Sequence, residues 1–106
     1  MVLTRDFKEL VKERLDRDPR AREALLREAI EAMLAGDVDA GNAVLRDYIN
    51  ATIGFEELAK ATGTPPTSLM RMFSSKGNPT ARKLLAVLRE LQQHAGLHYE
   101  LRPGKV

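Results

Sequence analysis

The chain has 106 residues and a formal net charge of only +2, so net charge alone does not predict binding to a polyanion. A chain of this length can bury one modest core unaided, and we expect a single domain over residues 1–106. Cysteine is absent, which excludes a disulfide framework, a thiolate nucleophile and a Cys-ligated zinc site. Because no signal-peptide core and no bilayer-length apolar stretch is present, we expect a cytoplasmic protein.

The first 35 residues predict two helices. The first covers about Asp6 to Leu15 and repeats apolar residues at helical spacing. The second begins at Asp18-Pro19, which suits an N-cap and a first helical position, and ends near Gly36. The apolar residues of the first helix are Phe7, Leu10, Val11 and Leu15.

Residues 37–94 predict a helical core of four elements. Asp37 can cap a third helix that ends near Gly54, and a short fourth helix follows from Phe55 to Thr62. Gly63 is suited to the left-handed conformation that ends a helix, and Pro65-Pro66 can only begin another, which we place at about Pro66 to Phe73.

The end of the chain predicts a loop, a last helix and a strand. Asn78 is the expected N-cap of the last helix, with Pro79 at its first position. Residues 97–102 then alternate apolar and polar side chains, which predicts a short strand. Since a lone strand has no partner within its own chain, it either pairs with another chain, such as a toxin or partner protein, or remains frayed. Pairing with a second copy across a dimer axis is the simplest expectation. The expected fold class is therefore all-α, with five or six helices and a short C-terminal strand.

Residues 55–74 have the pattern of two short helices joined by a glycine-containing turn, the geometry of DNA-binding helix-turn-helix motifs. Apolar residues at matching intervals would hold the second helix in place: Leu69, Met72 and Phe73. The segment from Gly63 to Lys83 also contains four basic residues and no acid, in a chain that is 30% charged. The alternative interpretation of this segment is an ordinary solvated basic face.

In the fifth helix, the side chains that do not point into the core are the candidates for contacts with DNA. The expected base-reading residues are Thr67, Ser68, Met70 and Arg71, with Thr64 in the preceding turn as a further DNA contact. Arginine can pair with guanine O6 and N7, and threonine can offer its hydroxyl or its methyl group. The expected phosphate contacts are Ser74, Ser75, Lys76 and Asn78 in the loop, and Arg82 and Lys83 at the start of the last helix.

The run Leu58-Ala59-Lys60, Gly63, Ser68-Leu69, Arg71 and Ser74, with Lys76-Gly77-Asn78-Pro79 and the leucines after it, resembles the addiction-module antidote proteins. These are HigA-like antitoxins with a lambda-repressor-type helix-turn-helix fold. The resemblance covers about Gly36 to Leu101. It implies a homodimeric repressor that binds its own operator in double-stranded DNA and neutralises a RelE-like ribonuclease toxin.

Two other interpretations of the function stay open. The chain is either a stand-alone repressor without a toxin, or a protein-interaction module with little affinity for DNA. An enzyme is not expected, because no acid, base and nucleophile converge in the pattern. His94 and His98 are separated by Gly96, which interrupts a shared helical metal site, so neither a metal nor a cofactor is expected.

Overall fold

The computed structural model describes residues 3–105, with side chains from residue 9 onwards except at position 11. These residues form six helices, which confirms an all-helical fold: α1 (Leu3–Arg17), α2 (Pro19–Leu34), α3 (Val38–Ala51), α4 (Phe55–Thr62), α5 (Pro66–Met72) and α6 (Ala81–Ala95). No helix within this range is long and apolar enough to cross a bilayer. Residues 1, 2 and 106 lie outside the described backbone, and the side chains of Phe7 and Val11 lie outside the described side chains. Of the other two residues of the apolar stripe predicted for the first helix, Leu15 is buried and Leu10 is 62% exposed.

Local capping explains where the first helices begin. The Asp18 carboxylate accepts a hydrogen bond from the Arg20 N–H at 3.0 Å, and Pro19 occupies the first turn of α2. Asp37 caps α3 in the same way, accepting from the Ala40 N–H at 3.2 Å. Both caps are as predicted, because an aspartate side chain satisfies an amide that the helix leaves without a partner.

The core is built from α2, α3, α4, α5 and α6. Its fully buried side chains come from five helices and include Leu26, Leu45, Leu58, Leu69 and Leu91. Helices α2 and α3 approach closely at Gly41, where a Cβ atom would lie 2.5 Å from Met33 Cγ. This scaffold fixes α4, which contacts both α5 and α6.

The predicted start of the last helix was wrong. Helix α6 begins at Ala81, and its N-cap is Thr80, whose hydroxyl accepts from the Lys83 N–H at 3.2 Å. Asn78 and Pro79 precede the helix in irregular backbone. Both Asn78 and Thr80 are good N-cap residue types, so the preceding loop decides between them. That loop folds back against the end of α5 at Gly77, and α6 begins only four residues later, at Ala81.

The predicted strand at 97–102 was also wrong, since residues 97–105 form no strand. The segment is held by its own chain instead. The Leu97 N–H donates to the Gln92 carbonyl and the Tyr99 N–H to Gln92 Oε1, both at 2.9 Å. The Tyr99 hydroxyl donates to the Glu23 carbonyl of α2 at 2.8 Å. Within residues 97–105, Tyr99 packs against the core, and the backbone forms no ladder of hydrogen bonds with another strand.

Candidate nucleic-acid interface

Helices α4 and α5 form a unit of two short helices joined by the turn 63–65. Gly63 has φ +71°, the left-handed conformation predicted for it, and its N–H donates to the Ala59 carbonyl at 2.9 Å. The Thr62 hydroxyl donates to the Leu58 carbonyl at 2.8 Å, which satisfies another carbonyl at this helix end. Pro66 then begins α5, where its missing N–H costs nothing. The turn is therefore built from residues suited to stopping one helix and starting the next.

Helix α5 has only seven residues, so tertiary contacts must hold it in place. Leu69, Met72 and Phe73 are buried, as predicted. The Phe73 ring lies 6.5 Å from that of Phe55 at the start of α4, in a tilted arrangement typical of stabilising aromatic pairs. The guanidinium of Arg46 on α3 also donates to the Phe73 carbonyl at 3.4 Å. The ring pair thus joins the two ends of the α4–α5 unit, and the Arg46 hydrogen bond connects the unit to α3.

Arg46 is a residue that sequence reasoning missed. It lies 27 positions before Phe73 and is half-buried, and its cationic group meets a carbonyl just beyond the last turn of α5. A positive charge is favourable at the negative end of a helix. No local pattern around position 46 indicates this contact, because it depends on how α3 packs against the α4–α5 unit.

The outer side of α5 carries the residues expected to read bases. Thr67, Met70 and Arg71 are exposed, at positions i, i+3 and i+4, which share one face of a helix. Met70 is 50% exposed although its neighbours Leu69 and Met72 are buried. Ser68 and Thr64 are only half-buried, so they are less accessible to a ligand than the other three.

The loop after α5 folds back onto that helix. The Ser74 hydroxyl donates to the Arg71 carbonyl at 2.8 Å, and the Gly77 N–H donates to the Ser74 carbonyl at 2.9 Å. Gly77 lies so close that a Cβ atom there would be 2.5 Å from the Arg71 carbonyl oxygen. The loop is therefore packed against the last turn of α5. The Ser74 hydroxyl already donates its proton to the Arg71 carbonyl and so helps to hold the loop there.

Four cationic side chains, which we call the basic surface, are exposed along this stretch: Arg71, Lys76, Arg82 and Lys83. Ser75 and Asn78, the other loop residues expected to contact phosphate, are exposed as well. Within the described ion pairs none involves the basic surface. These cations are accordingly available to an external anion.

The first turn of α4 has the opposite charge. Glu56 and Glu57 are exposed there, and Glu57 is paired with Lys60 at 3.5 Å. A shallow groove between α4 and α5 is lined by Glu56, Lys60, Thr64 and Pro66 among others. The carboxylates make this end of the unit a poor place for a phosphate, whereas Lys76 in the loop and Arg82 and Lys83 in α6 are cationic and exposed.

The described residues offer little else for chemistry. No group of three or more His, Asp or Glu side chains among them is arranged to hold a metal ion. Burial raises the pKa of the Tyr48 and Tyr99 hydroxyls above the ordinary value of 10.0, which is itself well above neutral pH. Comparison of the chain with protein-family models, curated proteins and solved structures finds no significant match.

Proposed function

We propose that this chain is a DNA-binding transcriptional repressor in which α4, the turn and α5 act as a helix-turn-helix motif. The observation that carries the proposal is the division of α5 into two sides. Leu69 and Met72 are buried, whereas Thr67, Met70 and Arg71 are exposed, and the segment from residue 63 to residue 83 carries four basic residues and no acid. A recognition helix needs this combination of rigid support and free polar side chains.

The side chains divide into two roles. Arg71 forms a bidentate pair with guanine O6 and N7, and Thr67 contacts a neighbouring base in the major groove. Lys76, Arg82 and Lys83 contact phosphates and fix the register of the protein on the duplex without reading its sequence. Ser75 and Asn78 add uncharged donors to the same backbone contacts.

The repressor acts as a homodimer on a palindromic operator. A seven-residue helix with three outward side chains reads too few base pairs for a specific site. Two copies read twice as many when their recognition helices enter successive major grooves, roughly 34 Å apart. The expected partners are thus the protein's own operator in double-stranded DNA and a second copy of the chain.

The biological setting that we propose is a toxin–antitoxin module. Its support is the resemblance of residues 36–101 to HigA-like antitoxins, in particular the Lys76-Gly77-Asn78-Pro79 run after the recognition helix. A cytoplasmic RelE-like ribonuclease encoded next to this chain is the expected toxin.

The acidic first turn of α4 favours the alternative of a protein-interaction module, because Glu56 and Glu57 repel DNA and attract a basic protein.

Footprinting of the chain's upstream region tests DNA binding, and co-purification with its genomic neighbour tests the toxin. We expect protection of a palindrome at low salt. Arg71→Ala should weaken binding at some base pairs more than at others. Lys76→Ala should weaken it evenly and lower the slope of log K against log salt by about one unit. Absence of protection at low salt would rule out the repressor.

A further inference from the structure

The side chain of Met70 belongs neither to the buried core nor to the half-buried apolar residues packed against it. It lies 50% exposed on α5, while Leu69 and Met72 beside it already provide the contacts with the core. It shares its outward face with Thr67 three positions earlier and with Arg71 next to it. An apolar group is therefore held in solvent, next to a cation, in the middle of the proposed recognition helix.

The major groove offers few apolar groups for such a side chain. Of the four bases, thymine alone presents a methyl group there, on C5, while the other base edges present donors and acceptors. Methionine is unbranched and polarizable, so it adapts to a small methyl group without a preformed pocket. The Thr67 methyl group lies on the same face and can extend this apolar contact.

Building on the proposed function, we infer that Met70 is a specificity-determining residue that contacts the C5-methyl group of a pyrimidine, so that each operator half-site holds a thymine close to the guanine read by Arg71. The contact removes the thioether and the methyl group from water together. Burying one methyl group in this way is worth about a fourfold change in affinity. The protein then prefers half-sites that contain both a thymine, contacted by Met70, and a guanine, contacted by Arg71.

The test begins with selection of duplexes from a random DNA library by the full chain at low salt. In the preferred duplex each thymine is then replaced singly by uracil, which removes the C5-methyl group and keeps the base pair. Affinities are measured for the unchanged chain, for Met70→Ala, and for Leu34→Ala as a control. Leu34 is 64% exposed at the end of α2, so its truncation removes a similar apolar group away from α5.

We expect uracil at one position of each half-site to weaken binding about fourfold for the unchanged chain and for Leu34→Ala. The same replacement should have no effect on Met70→Ala, because the partner of the methyl group is gone. Equal losses for the unchanged chain and Met70→Ala, or no loss at any thymine, would overturn the inference while leaving DNA binding intact. If the library yields no enriched or retained duplex at all, the proposed function itself fails.

Discussion

Gly77 lies in the loop after α5, close against the end of that helix. A Cβ atom there would lie 2.1 Å from the Met72 carbonyl oxygen and 2.5 Å from that of Arg71. Since both are backbone atoms, neither can rotate away. We expect Gly77→Ala to lower the free energy of unfolding by about 1–3 kcal/mol, as overpacking does. Urea denaturation of the purified protein measures the change.

Gly104→Ala is the matched control, because an added Cβ at Gly104 has no heavy atom within 4 Å. Its effect on the free energy of unfolding should stay within about 0.5 kcal/mol. If both variants unfold at the same urea concentration, the loop does not pack against α5 as described. A stable Gly77→Ala protein would also remove the reason for a glycine in the proposed phosphate-binding loop.

Single residues could be predicted from the sequence where a local rule governs them. The caps at Asp18 and Asp37 and the left-handed Gly63 follow from the residues within one turn, and all three are confirmed. The contact of Arg46 with Phe73 follows instead from the packing of a segment 27 positions away, and that of Gly77 from the path of the loop after α5. The sequence indicated that Gly77 lies in a loop, but the close approach to Met72 depends on the tertiary path of that loop.

Helix α6 provides a test at the level of a secondary-structure element. Thr80 caps it by accepting from the Lys83 N–H, whereas Asn78 is exposed and lies outside the helix. We expect Thr80→Ala to lower the free energy of unfolding by about 1 kcal/mol, the usual value of an N-cap. Asn78→Ala should change it by less than about 0.5 kcal/mol. Thermal or urea unfolding of the two variants side by side distinguishes them, and the reverse order would restore Asn78 as the cap.

The two elements that the sequence misplaced share a cause. Asn78 and Thr80 satisfy the same capping rule, so the rule alone does not choose between them. Likewise, the alternation at Leu97, Tyr99 and Leu101 fits a strand, but a strand also needs an adjacent edge to pair with. Residues 97–105 instead have hydrogen bonds to Gln92 and Glu23, which no period-two pattern can indicate. The prediction of an element is therefore wrong where tertiary structure, and not the local sequence, decides which residues the element contacts.

Tyr99 connects the C-terminal segment to α2 and makes the whole molecule sensitive to alkaline pH. Burial, with a further contribution from the nearby Glu23 carboxylate, raises its pKa from 10.0 to about 12. Below pH 10 the phenol is neutral in both the folded and the unfolded chain, so its contribution to stability is complete. Between about pH 10 and 12 the unfolded chain loses the proton while the folded chain keeps it, and the free energy of unfolding falls.

We expect Tyr99→Phe to unfold with about 0.5–1.5 kcal/mol less stability at neutral pH, because the hydrogen bond to the Glu23 carbonyl is lost. The variant should also lose less stability than the unchanged chain when the pH rises above 10. Tyr48, whose pKa burial also raises, remains in both proteins and leaves a shared residual slope. Urea titrations across this pH range measure both effects, and identical pH profiles would disprove a role for the Tyr99 proton.

The hydrogen bond between Tyr99 and Glu23 also has a consequence for biosynthesis. Its two residues are separated by 76 positions, so the contact forms only after α6 has been made. At a synthesis rate of about 5–20 residues per second, roughly 4–15 s separate the translation of the two residues. During this interval the Glu23 carbonyl of α2 lacks the hydroxyl donor that it has in the complete fold.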